Sequence, residues 1–251
     1  MTLVWSPGYA PVDPDYDNVS LLLYGNGTNG STTITDNSPS PKTVTPVGNA
    51  QISTAIADPF GNSTGVLAFD KVDDRLTLAA SSDFAFGTGD FTIEFWAYSR
   101  DVLGTTQRAF LQISPATGGL SAGTVNNIYI YQGANATALN LTGGLIAVVD
   151  DNFVGSNVAV LTTNTWFYVA LTRASGTVRL FFNGNVHASI ANTSNLTASN
   201  LVVGGAYDTA FLYDGYINDL RITKGVARYT SKFDPPTESF PDLSPTGRLA
   251  L

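Results

Sequence analysis

The amino-acid sequence predicts an all-β fold, an antiparallel two-sheet β-sandwich (jelly roll) with extended N- and C-terminal arms. The dipeptide Asn183-Gly184 separates two runs of β-prone residues, and Asn-Gly is typical of a type I′ hairpin turn because both of its central residues need a positive φ. Turn-forming residues separate short apolar runs roughly every 8–12 positions, as in two-sheet β-proteins. No stretch shows convincing 3.6-residue amphipathicity, so we expect little helix.

Taken in order, the apolar runs predict about a dozen strands. Within residues 91–98 the period of two is strict, and it places Phe91, Ile93, Phe95 and Ala97 on one face. The predicted strands are residues 19–24, 66–70, 75–78, 91–98, 108–114, 127–131, 139–149, 166–173, 177–182, 186–190, 201–205 and 215–222, with weaker alternation at 32–35 and 42–53 and a candidate helical turn at 224–229.

Proline marks both ends of the chain. No change in composition suggests a linker, so we predict one β-sandwich domain over residues 19–233. Residues 1–18 are expected to form an extended arm and residues 234–251 a proline-rich tail. Such an arm is ordered only when it finds a partner surface, and the alternative is a terminus without fixed structure. The aromatic residues predicted to hold the arm on a neighbouring subunit are Trp5, Tyr9 and Tyr16.

Composition excludes several kinds of chemistry. Charged residues make up 13% of the chain, about half of the usual share, and the net charge is −8. This acidic balance argues against nonspecific binding to nucleic acid or to an anionic membrane. There is no cysteine, which excludes disulfides, thiolate zinc sites and cysteine nucleophiles. Residues 1–19 lack a secretory signal pattern and no apolar run is long enough to span a membrane, so neither nucleic acid nor membrane is an expected partner.

Three stretches in this order carry a resemblance to a known family. They are FD and DDRL within residues 69–76 followed by DFAFGTGDFTIEFW at 83–96, then WFYVALTR at 166–173 with the Phe182-Asn183-Gly184 hairpin, then GYINDLRITKGVARY at 215–229. The chain resembles, over about residues 19–240, the laminin-G-like domains of the concanavalin A-like lectin/glucanase superfamily, of the type found in bacteriophage and bacterial proteins. The resemblance implies a β-sandwich and leaves the function open, because this fold hosts lectins, hydrolases, adhesion modules and structural domains.

The superfamily includes glucanases, but the chain lacks the residues of their reaction. Glycoside hydrolysis uses two carboxyl groups, one as acid and one as nucleophile or base. The chain has only two glutamates, Glu94 and Glu238, and no closely spaced Glu-Asp-Glu signature. We therefore predict no catalytic residues, and a structural Glu94 that pairs with an arginine such as Arg173 or Arg221. The single histidine, His187, is expected on a surface strand.

Calcium is the ion that the residue types favour, since it binds carboxylate, amide and carbonyl oxygens. The resemblance implies calcium on loops at one edge of the sandwich, where the ligand positions fall on Asn126, Asn127 and Asp208. The chain departs from the pentraxin pattern, because Ala206-Tyr207 replaces an acidic cluster. Two other oxygen clusters remain as alternatives, Asp150-Asp151-Asn152 and Asp70 with Asp73-Asp74, although aspartate in a β-turn usually serves the turn.

A glycan site needs aromatic rings for stacking and polar groups for the sugar hydroxyls. Two places offer both. The first is the strand face of Tyr129 and Tyr131, preceded by Asn126. The second is a loop, expected at a sheet edge, that contains Tyr207, Asp208, Phe211 and Tyr213. The alternative is that these aromatics pack on the second sheet, the arms or a neighbouring subunit.

These observations leave three functional hypotheses. The first is a non-enzymatic virion protein (a capsid decoration, head fibre or tail component) whose lectin-like sandwich binds host surface glycans and whose arms contact other virion proteins or copies of itself. This first hypothesis is favoured because the chain starts at Met1 and shows no secretory signal or anchor, which is expected of a phage protein more than of a cell-surface protein. The second is a free-standing extracellular lectin, with calcium or without it. The third, a glycoside hydrolase, is disfavoured by the shortage of glutamates.

Overall fold

The chain folds into two antiparallel β-sheets that pack face to face, as the sequence predicts. In the computed structural model the described residues are 11–101, 107–115, 126–135, 141–155, 161–207 and 211–245. They form two short 3-10 helices, Tyr16–Asn18 and Ser82–Phe84, and fifteen strands. The strands are β1 (Val19–Leu23), β2 (Val44–Val47), β3 (Gln51–Ser53), β4 (Val66–Asp70), β5 (Arg75–Leu78), β6 (Phe91–Ser99), β7 (Arg108–Ser114), β8 (Ile128–Asn135), β9 (Leu141–Val149), β10 (Asn152–Gly155), β11 (Trp166–Ala174), β12 (Thr177–Phe182), β13 (Asn185–Ala191), β14 (Asn200–Val203) and β15 (Asp214–Lys224).

The two sheets contain eight and seven strands. Sheet 1 has the order β13-β12-β11-β6-β15-β4-β3, and sheet 2 has the order β10-β9-β8-β7-β14-β5-β2. The long strand β15 lies beside β6 along one side, and along the other side it pairs first with β4 and then with β1. Strands β11, β6 and β15 are therefore the centre of sheet 1.

The predicted hairpins of sheet 1 are confirmed. β11 pairs with β12 and β12 with β13 in antiparallel register. Asn183 (φ 46°) and Gly184 (φ 75°) both have the positive φ that a type I′ turn requires. A Cβ on Gly184 would lie 1.9 Å from the carbonyl oxygen of Phe233, so the C-terminal part of the chain leaves room only for glycine at this turn.

The main core lies between the two sheets. Phe91, Ile93, Phe95 and Ala97 of β6 point into it and are 0% exposed, which confirms the face predicted from their period of two. At about 25 cal/mol per Å² of buried apolar area, this core is the main source of folding free energy.

One local prediction was wrong and one strand was missed. Residues 224–229 form no helical turn, since Lys224 is the last residue of β15, and the alternation at 32–35 corresponds to no strand. Strand β10 was missed because Asp150 (φ 51°) and Asp151 (φ 62°) reverse the chain immediately, so that β10 pairs with the end of β9.

The first and last described segments, residues 11–18 and 234–245, lie across the outer face of sheet 1. Asp13 donates its backbone N–H to the carbonyl oxygen of Leu243 (2.9 Å), so these two segments are in contact there. Tyr16 donates its hydroxyl to the carbonyl oxygen of Asn37 (2.6 Å). A second apolar cluster forms beneath the C-terminal segment (residues 234–245) and contains Val19, Leu22, Tyr168, Ala170, Phe181 and Phe240.

The described parts of the predicted arms are thus packed on the chain's own sandwich. A contact between Tyr16 and a neighbouring subunit stays a prediction, and Trp5 and Tyr9 lie outside the described residues. In the portion of the chain that is described, no helix has the length and apolar character to cross a membrane.

Candidate functional site

Outward-facing side chains of β11, β6 and β15 form cross-strand rows on the outer face of sheet 1. Tyr98 of β6 lies opposite both Trp166 of β11 and Tyr216 of β15. Four residues earlier on β6, Glu94 lies opposite Arg221 of β15. A strand rises about 3.4 Å per residue, so the same strands carry aromatic side chains at one end and charged side chains at the other.

The row formed by Trp166, Tyr98 and Tyr216, here called the aromatic row, is held by edge-to-face ring contacts. The ring centroids are 5.4 Å apart for Trp166 and Tyr98 and 5.7 Å apart for Tyr98 and Tyr216. Trp166 and Tyr98 are half-buried, and Tyr216 is 8% exposed. Such side chains combine an apolar ring with a polar tip, so the row can stack against a sugar ring and bond to its hydroxyls.

Paired charges stand beside Tyr216 at one end of the aromatic row. The Arg100 guanidinium carbon lies 5.3 Å from the centroid of the Tyr216 ring, and Arg100 pairs with Asp214 (2.8 Å). Lys71 pairs with Asp214 (3.0 Å) and with Asp101 (3.3 Å), and these hydrogen bonds raise the pKa of Lys71. The row therefore has fixed donors and acceptors within reach of a bound ligand.

A loop between β3 and β4 meets the other end of the aromatic row. Trp166 donates its indole N–H to the carbonyl oxygen of Ala57 (3.1 Å). The buried carboxylate of Asp58 shapes this loop, because it accepts the backbone N–H groups of Phe60 (2.9 Å) and Asn62 (2.8 Å). The orientation of the Trp166 ring is thus set by the protein itself.

The charged end of the same face is a buried network of Glu94, Arg221, Asp13 and Arg228, here called the charged cluster. Arg221 donates to Glu94 Oε1 (2.8 Å) and to Asp13 Oδ2 (2.9 Å). Arg228 donates through both terminal nitrogens to Asp13 (2.9 and 2.8 Å). Burial raises the pKa of Asp13, but the hydrogen bond and charge of Arg228 and the charge of Arg221 outweigh it and hold that pKa below its usual value.

Both carboxylate oxygens of Glu94 accept hydrogen bonds. Oε1 accepts from Arg221, and Oε2 accepts the hydroxyl groups of Tyr168 and Tyr229, the latter at 2.8 Å. Glu94 is 0% exposed, and its pairing with Arg221 is confirmed. The alternative partner Arg173 was wrong, since Arg173 donates to backbone carbonyl oxygens of two loops.

The glycan residues predicted on β8 lie on the outer face of sheet 2. Tyr129 and Tyr131 project to the same side, with stacked rings 4.6 Å apart, but they are 2% and 1% exposed. Phe211 packs against them and is half-buried, as is Tyr207, while Asp208 lies outside the described residues. The two strand tyrosines therefore offer almost no surface to a ligand in this structure.

The loop predicted to lie at a sheet edge instead connects the interior strands β14 and β15 of the two sheets. Tyr213 donates its backbone N–H to the carbonyl oxygen of Gly204 (2.9 Å). Its ring lies 5.0 Å from that of Phe110 and 6.2 Å from that of Phe69. Tyr213 is 0% exposed and belongs to the main core, so the structure removes it from the glycan candidates.

The predicted calcium ligands Asn126 and Asn127 serve a turn. Asn126 donates its backbone N–H to Asp150 Oδ1 (2.7 Å), and the side-chain oxygen of Asn127 accepts the backbone N–H of Asp151 (3.4 Å). These residues lie at the start of β8, and β14 runs away from that end. Asp208 lies outside the described residues. A shared site for the three ligands stays a prediction.

The alternative acidic cluster does assemble. One carboxylate oxygen from each of Asp70, Asp73 and Asp74 lies within 4.8 Å of the others. Asp74 accepts the backbone N–H groups of Asn49 (2.7 Å) and Asp70 (3.1 Å), and burial raises the pKa of Asp74 to about 6. Asp70 is directly opposite Asp214 of β15. The acidic cluster therefore adjoins the ion pairs that stand beside Tyr216 in the aromatic row.

Sequence reasoning missed the aromatic row. The period of two in residues 91–98 does place Tyr98 on the face opposite the core. It contains no signal, however, that Trp166 and Tyr216 are its neighbours, because the pairing joins strands far apart in the chain.

Solved structures with a similar fold include several binding domains. Domain 4 of AbnA, a GH43 extracellular arabinanase from Geobacillus stearothermophilus in complex with arabinotriose, is 14% identical over 84% of this chain and 94% of that chain (TM-score 0.57). The botulinum neurotoxin serotype D binding domain is 16% identical over 86% and 50% (0.58), and the binding domain of Paraclostridial Mosquitocidal Protein 1 is 14% identical over 84% and 50% (0.51). This chain thus spans about half of each toxin domain, and at these identities the likeness shows the fold.

A search of curated protein sequences finds no significant match. A laminin-G-type family model, described as the Concanavalin A-like lectin/glucanases superfamily, matches residues 70–228. This is more than half of the chain, and it includes the aromatic row and Glu94. The two antiparallel sheets described above have the lectin-like sandwich architecture expected for that match. The chain therefore belongs to the concanavalin A-like lectin/glucanases superfamily.

Proposed function

We propose that the protein is a non-enzymatic adhesion component of a virion, as a capsid decoration, head fibre or tail component, and that it binds surface glycans through the aromatic row. The observation that carries the proposal is the row itself. Trp166, Tyr98 and Tyr216 lie in one cross-strand register, and Trp166 and Tyr98 are only half-buried. Ligand sites combine aromatic surface with a few well-placed polar groups, and Arg100 and Asp214 supply those groups.

The similar solved structures support binding as the general activity. One was solved as a domain of an arabinanase with arabinotriose bound, and two others are toxin binding domains. Their identity to this chain is too low to carry any of their residues over, so the site on this chain is argued from its own geometry.

The surroundings of the carboxylates support a non-enzymatic role. A glycosidase needs two carboxyl groups that reach the same bond. Glu94 is 0% exposed and bonded through both oxygens, while Glu238 lies in the C-terminal segment. Asp101 and Asp214, which stand beside the aromatic row, are both ion-paired with Lys71.

The virion assignment is supported by the resemblance to phage-type laminin-G-like domains and by the contact between the described N- and C-terminal segments. Asp13 and Leu243 are hydrogen-bonded on the half of sheet 1 that carries the charged cluster. The aromatic row lies at the other end of the same strands. A module held near Asp13 and Leu243 can turn this row towards a target.

A free-standing calcium-dependent lectin is the second candidate. The acidic cluster of Asp70, Asp73 and Asp74 favours it, because Asp70 lies opposite Asp214 beside the aromatic row. Calcium bound there could coordinate sugar hydroxyls next to the stacking surface.

The direct test is a glycan array probed with the wild-type protein and three variants, each with calcium and with chelator. We expect Trp166→Ala and Tyr98→Ala to lower affinity at least about tenfold, since truncating an aromatic residue central to a binding surface costs about 2 kcal/mol or more and about 1.4 kcal/mol is tenfold in affinity. Tyr207→Ala is the matched control, a half-buried aromatic outside the row, and should bind like the wild type.

The outcomes separate the candidates. Loss of binding only in Tyr207→Ala would indicate a site on sheet 2, and no glycan binding by the wild type would overturn the proposed activity. Binding abolished by chelator would favour the calcium-dependent lectin. The virion role would be overturned if mass spectrometry of purified phage particles did not detect the protein.

A further inference from the structure

The aromatic row is part of a longer cross-strand row on the outer face of sheet 1. Tyr216 of β15 lies opposite Ala68 of β4, and Ala68 lies opposite Gln51 of β3. The residues on either side of Ala68 and the middle residue of β3 point into the main core. Because successive side chains of a strand alternate between its faces, Ala68 and Gln51 point outwards. The complete row, here called the extended row, consists of Trp166, Tyr98, Tyr216, Ala68 and Gln51.

The extended row crosses five neighbouring strands, in the order β11-β6-β15-β4-β3. Neighbouring strands lie about 4.8 Å apart, so the row is about 19 Å long, which is the length of several linked sugar rings. Trp166, Tyr98, Ala68 and Gln51 are half-buried, and Tyr216 in the middle is 8% exposed. Ala68 has the smallest side chain of the five and therefore leaves a depression between Tyr216 and Gln51.

The loop between β3 and β4 follows one side of the extended row. Its Phe60 meets the ring of Trp96 edge-on (6.2 Å between centroids), and Trp96 of β6 belongs to the next outward-facing row. Its Ala57 reaches as far as β11, where the carbonyl oxygen accepts the indole N–H of Trp166. The hydrogen bonds that Asp58 accepts within the loop fix its shape. The loop is therefore a wall that runs beside the row from β3 to β11.

Charged side chains follow the other side of the extended row. Asp214 precedes Tyr216 by two residues on β15 and lies opposite Asp70 of β4. Arg100 donates its backbone N–H to the carbonyl oxygen of Asp214 (3.0 Å), and its guanidinium carbon lies 5.3 Å from the centroid of the Tyr216 ring. This second wall thus places a fixed hydrogen-bond donor over the middle of the row.

We propose that the extended row is the floor of a trough that binds a linear, uncharged oligosaccharide along its length. The inference rests on the proposed function and specifies its ligand. Trp166 and Tyr98 stack on sugars at one end, and the chain passes Ala68 in the depression. At the other end the amide of Gln51, which can both donate and accept hydrogen bonds, binds sugar hydroxyls. Mono- and disaccharides occupy only part of such a trough.

The charges beside the trough favour an uncharged chain. Arg100 pairs with Asp214, and Lys71 pairs with Asp214 and Asp101, so neither cation is without a carboxylate. The acidic cluster that contains Asp70 adjoins these pairs. A sugar acid would therefore meet an excess of negative charge, on a chain whose net charge is −8, and like charges oppose binding.

The test is titration calorimetry with linear gluco-, manno-, xylo- and galacto-oligosaccharides of increasing length, and with oligogalacturonates as the acidic counterparts. For the neutral series that binds, affinity should rise up to about four linked sugars, the number that about 19 Å accommodates. Gln51→Ala should lower the affinity for the longest chains about fivefold, as for the loss of one hydrogen bond between neutral groups. Its affinity for mono- and disaccharides should stay that of the wild type.

Ala68→Ile tests the depression. Isoleucine suits a strand and fills the space between Tyr216 and Gln51, so the increase of affinity with chain length should be lost. Ala68→Ser keeps the side chain small and is the matched control, which should bind like the wild type. Circular dichroism and thermal unfolding show whether each variant is folded, and Gln51→Ala decides the question if Ala68→Ile is not.

The outcomes separate this inference from the proposed function. An affinity that does not rise beyond the disaccharide, a preference for oligogalacturonates, or wild-type binding of long chains by folded Gln51→Ala would overturn the trough. So would binding on a glycan array to branched or terminal sugars alone, which leaves the proposed function standing. If Trp166→Ala binds every chain length like the wild type, the proposed function fails as well.

Discussion

The two ends of the outer face of sheet 1 are built on the same three strands and have opposite properties. At the charged end, Glu94 and Arg221 are buried beneath the described segments that carry Asp13 and Phe240, and each charge has a partner of opposite sign. At the aromatic end, Trp166 and Tyr98 keep part of their surface exposed and no chain end covers them within the described residues. Burial makes a polar group depend on its partners, whereas partial exposure leaves a side chain available to a ligand.

The largest expected effect is at the charged end. Arg221→Ala would leave Glu94 and Asp13 buried without their shared partner, and breaking a buried pair in this way costs about 3–5 kcal/mol. Urea denaturation measures the loss in the free energy of unfolding. Arg100→Ala is the control at the aromatic end, where the side chain is 39% exposed and its ion pair is worth less than about 1 kcal/mol. Equal losses in the two variants would contradict the distinction between the ends.

The next effect concerns Asp219, which holds the C-terminal segment on the sheet. Its Oδ1 accepts the backbone N–H of Phe240 (3.1 Å) and its Oδ2 accepts from Asn218 (2.7 Å). Burial raises the pKa of Asp219 to about 7, with the nearby Asp58 adding to the rise and Arg221 opposing it. The folded state therefore disfavours the ionised carboxylate.

The sign of the pH dependence follows. Since the folded pKa lies above the unfolded value of about 3.9, the contribution of Asp219 to stability is fully present below about pH 4 and is lost as the pH rises through 7. The loss is at most about 4 kcal/mol. Thermal unfolding of Asp219→Asn between pH 5 and 8 should show a flatter dependence than the wild type. Parallel curves for the two proteins would rule out Asp219 as the source.

How much the sequence could predict differs between the two ends for a physical reason. Local patterns were enough for the hairpin at Asn183 and for the inward face of β6. They predicted an arginine partner for the buried Glu94 but left Arg173 and Arg221 open, and only the strand pairing selects Arg221. Asp13 has no such pattern around it. Its place in the charged cluster depends on where the N-terminal segment packs, which is decided by tertiary contacts.

For the aromatic residues, the local sequence context predicts the wrong environment. Tyr213 has the sequence context of a loop aromatic, yet it lies in the core because its loop crosses between the sheets. Tyr98 has the context of a framework strand, yet it is half-exposed beside Trp166. Which aromatic side chains meet, and which stay exposed, depends on strand register, and register between distant strands leaves no local signal.

A smaller effect is expected from the apolar anchor of the C-terminal segment. Phe240 is 5% exposed, and the Arg221 guanidinium carbon lies 3.7 Å from the centroid of its ring. Phe240→Ala should cost about 3 kcal/mol, as for other buried phenylalanines, without changing glycan affinity at temperatures where the variant is folded. Leu243→Ala is the control on the same segment, since Leu243 is 39% exposed and should change stability by less than about 0.5 kcal/mol.

The smallest effect on stability is expected where the effect on binding is largest. Trp166→Ala removes one hydrogen bond to the loop at Ala57, worth about 1 kcal/mol, and one edge-to-face contact with Tyr98, worth about 1 kcal/mol more. The free energy of unfolding should therefore fall by only about 2 kcal/mol, less than in Phe240→Ala. Its glycan affinity should nevertheless fall at least about tenfold, because an aromatic residue central to the proposed binding surface is lost. Measured side by side, Trp166→Ala should therefore change mainly glycan affinity, and Phe240→Ala should change mainly stability. If Trp166→Ala instead destabilises the fold as much as Phe240→Ala does while binding is unchanged, then Trp166 is a packing residue and the two ends of the face do not differ in role.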